Sequence, residues 1–118
     1  ALRLLTPEGI MKGPLRDAVT TYERAFHQLG IRPDNGDVLA WDPTMIIVDA
    51  VRHLGTDATA VQVRDYILHL HSWIGADGVY DFAGGDQRGL AQNSFIVARW
   101  SPDRRTWIQV SQTRGFLK

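Results

Sequence analysis

The 118-residue chain balances 13 Lys and Arg against 13 Asp and Glu, giving a formal net charge of zero, and 44% of its residues are hydrophobic. That is globular composition, enough for one modest domain, and with no basic cluster larger than Arg104-Arg105 it argues against nucleic acid or an anionic membrane surface as partner. The absence of cysteine excludes disulfides, thiolate metal sites and cysteine nucleophiles while leaving the compartment open.

No apolar run approaches the roughly 20 residues that span a bilayer. The first residues, Ala-Leu-Arg-Leu-Leu-Thr-Pro-Glu, carry neither an initiator Met nor a secretory pattern, which suggests a processed or excised piece. Within them Leu2 to Leu5 reads as a short strand ended by Thr6-Pro7. Gly13-Pro14 then opens an amphipathic helix in which Leu15, Ala18, Val19, Tyr22, Ala25, Phe26 and Leu29 recur at three- and four-residue spacing, until Gly30 supplies a left-handed cap. Its other face (Arg16, Asp17, Thr20, Glu23, Arg24, His27) reads as solvated.

Pro33-Asp34-Asn35-Gly36 has loop chemistry, and Val38 to Trp41 leads into Asp42-Pro43, which read as an N-cap followed by a proline at the first helical position. From Met45 to Leu54 nearly every position is apolar, so this second helix is expected to be sandwiched between layers. Asp49 within it is expected at the rim or paired with Arg52. Gly55 ends the helix, and Thr59 with Gln62 forms a capping box for a third helix running to about His71. His69 and His71 sit about 200° apart on a helix and cannot share one ion, so no metal site is expected.

Gly78 to Trp100 is the stretch around which the rest is organised. Val79 to Phe82 reads as a short strand and Gly84-Gly85-Asp86 as a tight turn. Phe95 to Trp100 and Trp107 to Val110, separated by Ser101-Pro102-Asp103, have the signature of a C-terminal hairpin. Asp77, Asp81 and Asp86 could suggest a calcium loop, but the alternating ligands and closing Glu are missing, and turn chemistry accounts for them. No catalytic motif occurs, so neither an enzyme nor a cofactor is expected.

Ala40-Trp41-Asp42, Val63-Arg64-Asp65, Gly78-Val79-Tyr80-Asp81-Phe82, Gly85-Asp86 and the closing run Phe95 to Trp100 stand in an order that resembles the C-terminal third of type I periplasmic solute-binding proteins, the branched-chain amino acid (Leu/Ile/Val) receptor family of ABC importers. The resemblance spans nearly the whole chain. It implies an α/β fragment of a bilobal fold, with about three helices, short strands and a C-terminal β-hairpin, in which residues 1–118 contribute pieces of both lobes. It further implies a non-enzymatic, periplasmic or other extracytoplasmic component that passes an amino acid or similar small carboxylate to an ABC permease. The alternative is the ligand-sensing domain of a cytoplasmic regulator or enzyme built on the same fold. Most ligand contacts of the family fall upstream of Ala1, so the chain alone is expected to bind poorly. Trp41 and Asp42 are the nearest candidates for ligand binding, against competing roles in hinge packing and helix capping. A further expectation is a homodimer, since the apolar second helix and the strand edge at Phe95 to Trp100 would otherwise lie in water.

Overall fold

The computed structural model describes Ile10 and residues 12–112, so the strand expected at Leu2 to Leu5 lies outside the described residues. Three helices, α1 (Pro14–Gln28), α2 (Asn35–Leu54) and α3 (Ala60–Leu68), precede two separate two-stranded antiparallel sheets, β1 (Trp73–Ile74) with β2 (Val79–Tyr80) and β3 (Ala98–Ser101) with β4 (Thr106–Gln109). The architecture is therefore mixed α and β, with three helices and a C-terminal hairpin among the described residues.

α1 begins at Pro14, whose missing N–H costs nothing in the first turn. It ends in a Schellman arrangement: the Gly30 N–H donates to the His27 carbonyl and the Ile31 N–H to the Phe26 carbonyl, at 3.0 and 3.1 Å. Gly30 has φ 70°, the left-handed geometry that a side chain resists.

α2 departs from expectation. It starts at Asn35, eight residues before Pro43, so Asp34 rather than Asp42 is the N-cap. The Asp34 carboxylate accepts from Gly36 N and Asp37 N, and Asp37 Oδ2 accepts from Asp34 N at 2.9 Å. That reciprocal box satisfies early helical N–H groups and draws residues that look like loop into the first turn. Pro43 then lies inside the helix and removes one rung, leaving the Leu39 carbonyl without its usual donor. Both residues are exposed, so water can take that carbonyl.

The expectation that α2 is sandwiched is also corrected. One ridge, Val38, Asp42, Ile46 and Ala50 at four-residue spacing, is buried, whereas Leu39, Ile47 and Leu54 are exposed. α3 is capped by Thr59 and Gln62 as expected, but ends at Leu68 rather than near His71.

The core gathers Ile10, Val19, Tyr22, Val38 and Ala76, with Leu15, Phe26, Trp41 and Leu90 packed against it. Tyr22, Phe26 and Trp41 form an aromatic triangle with centroids 5.0 to 6.0 Å apart. The β1–β2 hairpin, which pairs Trp73 with Tyr80 and Ile74 with Val79, leans on this core through its turn. Val79 to Asp81 gains a second neighbour in Gly89 to Ala91: Asp81 N donates to Gly89 O and Ala91 N to Val79 O. Phe82 lies past the strand's end and donates its N–H to Leu70 O. The closing hairpin begins at Ala98, shorter than the expected run from Phe95, and places Trp100 opposite Trp107 with rings 5.5 Å apart.

Candidate functional site

The ridge on α2 that faces the β1–β2 hairpin carries one charged residue, Asp42, fully buried at 0% exposure. Its Oδ1 accepts from Ala76 N at 2.8 Å, and its Oδ2 accepts from Asp77 N at 2.8 Å and the Tyr80 hydroxyl at 3.1 Å. A helix side chain thus ties down the turn between β1 and β2, 34 to 38 residues away in the chain. The turn comes this close because Gly75 has no side chain. A Cβ there would stand 2.4 Å from Asp42 Oδ2 and 2.6 Å from its Cγ.

A second carboxylate, Asp77, is 2% exposed, and its Oδ1 has no hydrogen-bond partner among the described residues. Burial and then the Asp42 charge raise its pKa to about 7. Asp42 is also pushed up by burial, opposed by the bonds from Asp77 N, Ala76 N and Tyr80. Burial, followed by the charges of Asp42 and Asp77, holds the Tyr80 phenol well above its usual range, so it remains a donor. Tyr22 is raised by burial and then by Asp37 and Asp34, and its hydroxyl donates to Asp34 O at 2.8 Å.

Beside this cluster opens a cleft of about 180 Å³. Trp41 and Trp73 line it, together with Met45, Thr21 and the Asp42 edge. Its walls are aromatic and apolar, suited to an apolar or aromatic group rather than a bare ion. Trp41, half-buried, lines this cleft and packs on Tyr22 and Phe26 at once. Asp42 also borders it, with its oxygens already engaged by the hairpin; the role of helix cap falls to Asp34.

Asp49 sits at the rim as expected, but its partners are Tyr66, whose hydroxyl donates to Oδ2 at 2.8 Å, and His53 Nδ1 at 3.6 Å, rather than Arg52. Tyr66 is itself raised, by burial and then by the Asp49 bond and charge. His69 Nδ1 lies against the Asp65 carbonyl and His71 pairs with Asp81. Asp81 also accepts from Ala83 N, and Asp86 accepts from Arg88 N, so both serve turns. Among the described residues no group of three His, Cys, Asp or Glu is placed to hold a metal, and no helix is long and apolar enough to cross a membrane.

Sequence reasoning did not single out Trp73, and it took Asp77 only for a turn residue and Tyr80 only for part of a short strand. The available signal was the ridge Val38–Asp42–Ile46–Ala50, which becomes legible once the helix is started at Asp34. A carboxylate on such a ridge needs donors from another element.

No family model, characterised protein or solved structure matches the chain.

Proposed function

We propose that the chain is part of the solute-binding component of an ABC importer, of the type I periplasmic kind, serving amino acids or similar small carboxylate-bearing solutes. In this reading residues 1–118 supply pieces of both lobes of a bilobal fold that works in the periplasm or another extracytoplasmic space and hands its solute to a membrane permease. The observation that carries it is the meeting of two segments of the resemblance: Asp42 of Ala40-Trp41-Asp42 holds the hairpin that leads into Gly78-Val79-Tyr80-Asp81-Phe82. Residues that carry the resemblance by their order also hold each other in place.

The cleft at Trp41 and Trp73, about 180 Å³, falls below the roughly 300–1,000 Å³ of small-molecule sites, and so corresponds to one wall of a larger site. Trp41 contributes the ring that would face the solute, and Asp42 fixes the hairpin behind it. Calorimetry tests the reading, with Leu, Val, Phe and aromatic acids titrated into this chain and into the parent polypeptide encoded with the residues before Ala1. The parent is expected to bind one of them with micromolar affinity and the 118-residue chain to bind none. Micromolar binding by the short chain, or a parent whose upstream residues encode a catalytic or DNA-binding domain, would overturn it.

A further inference from the structure

Two turns along α2 from Asp42, three side chains with ligating atoms converge. Asp49 and His53, four residues apart, project from the same side of α2, the spacing at which two side chains of one helix can hold one ion. Tyr66 reaches across from α3 and closes a triangle of donor atoms. Its hydroxyl stands 2.8 Å from Asp49 Oδ2 and 3.1 Å from His53 Nδ1, and His53 Nδ1 stands 3.6 Å from Asp49 Oδ1. The His53 and Tyr66 rings lie 5.3 Å apart with a tilt of 32°.

We propose that Asp49, His53 and Tyr66 bind one transition-metal cation, copper(II) before others, with water completing its coordination. Around an ion whose bonds to nitrogen and oxygen are about 2.0–2.2 Å long, neighbouring ligand atoms stand about 2.8–3.6 Å apart, from the right-angled to the tetrahedral arrangement. The three separations fall within that range, so neither helix has to move. Side-chain exposures of 62% at His53 and 29% at Asp49 leave room for water ligands.

Binding breaks the O–H bond of Tyr66, forms an oxygen–metal bond and passes the proton to solvent. Without an ion, burial and then the bond and charge of Asp49 hold this phenol protonated. A cation at the same point reverses that electrostatic balance. His53 contributes the Nδ1 lone pair in the tautomer whose proton sits on Nε2, and the ring then gives up its 2.9 Å contact with the Asp49 carbonyl. Carboxylate and phenolate together supply two negative charges, which match a divalent ion. An imidazole nitrogen with two hard oxygens suits copper(II), which heads the affinity order of such sites, whereas calcium and magnesium take oxygen ligands. This proposal goes beyond the solute-binding reading and does not depend on it.

Titration of the 118-residue chain with copper(II) sulfate, in a buffer that does not coordinate metals, is expected to show one tight equivalent and a phenolate-to-copper charge-transfer band in the visible. Tyr66→Phe should abolish the band. It and His53→Gln should each weaken the tight equivalent at least about 10-fold, as loss of even a group that only orients a ligand does. Circular dichroism of the ion-free variants should match the parent chain, and His53→Gln, at an exposed side chain, reads the site independently of Tyr66. The other histidines, His27, His69 and His71, also attract copper, so the double variant His69→Gln, His71→Gln is the control and should keep both the band and the tight equivalent. Absence of a visible band would overturn the proposal, as would a band that survives Tyr66→Phe. Uptake indifferent to both Tyr66→Phe and His53→Gln would mean an adventitious ion only and would overturn it equally.

Discussion

Asp42 and Asp49 stand two turns apart on nearly the same side of α2, yet they meet opposite environments. Asp42 is fully buried and takes two backbone N–H groups and a phenol from the β1–β2 hairpin. Asp49, with 29% of its side chain exposed, takes a phenol from α3 and a histidine one turn along its own helix. The same residue type in the same helix becomes a tertiary fastener in one case and a rim contact in the other. What separates them is water. Where water is excluded, each donor left unpaired costs its full desolvation penalty, so a buried hydrogen bond gathers importance that an exposed one shares with solvent.

The sharpest way to break the comparison is Asp42→Ala. It strands Ala76 N, Asp77 N and the Tyr80 hydroxyl in a dry interior, and is expected to cost about 3–5 kcal/mol, above most single substitutions. Denaturant unfolding measures it. A loss below about 1 kcal/mol, the usual net worth of one hydrogen bond, would mean that water reaches the hairpin turn and that the two aspartates are alike after all.

The second effect is on pH dependence. Folding raises Asp77 from the ordinary 3.8 to about 7. The unfolded chain therefore ionises first as pH climbs, and the folded state binds more protons between those values. Stability from this group is accordingly greatest at acid pH, falls through the window from about 4 to 7 and is level above it. Asp42, also raised, adds to the slope in the same direction. Asp77→Asn should flatten much of that slope and stabilise the protein by about 1–2 kcal/mol at pH 8, with little change at pH 4. Urea midpoints recorded across that range provide the check, and an unchanged slope would remove Asp77 from the account.

The smallest effect is expected at the rim. Tyr66→Phe deletes the donor to Asp49 but leaves that carboxylate in reach of water, so the cost should stay within about 0.5–1 kcal/mol. Tyr80→Phe, which deletes the corresponding phenol on Asp42, should cost more in the same denaturant measurement. Equal losses would show that burial does not distinguish the two sites.

Much of the local structure was readable from residues alone. α1 followed from its apolar spacing between Pro14 and Gly30, the α3 start from Thr59 and Gln62, and the closing hairpin from two aromatic and β-branched runs around Pro102-Asp103. Each of these signals lies within a few residues of the backbone groups it satisfies. The start of α2 was misread because Asp42-Pro43 and Asp34-Asn35-Gly36-Asp37 both resemble a helix opening, and a proline within a helix is the rarer outcome. The ridge beneath Asp42 decided between them: only a helix begun at Asp34 turns Val38, Asp42, Ile46 and Ala50 inward together.

The sequence by itself determined that helices precede short strands and that the chain is free of thiol chemistry and of a strong net field, because composition, periodicity and capping act over one or two turns. Tertiary structure alone decided which aspartate is buried, that Asp77 shares its environment, that Trp41 and Trp73 wall one cleft, and that one face of α2 is left open. Those outcomes depend on residues some 35 positions apart in the chain meeting across an interior, and the desolvation that gives such meetings their energy exists only once the chain has closed around them.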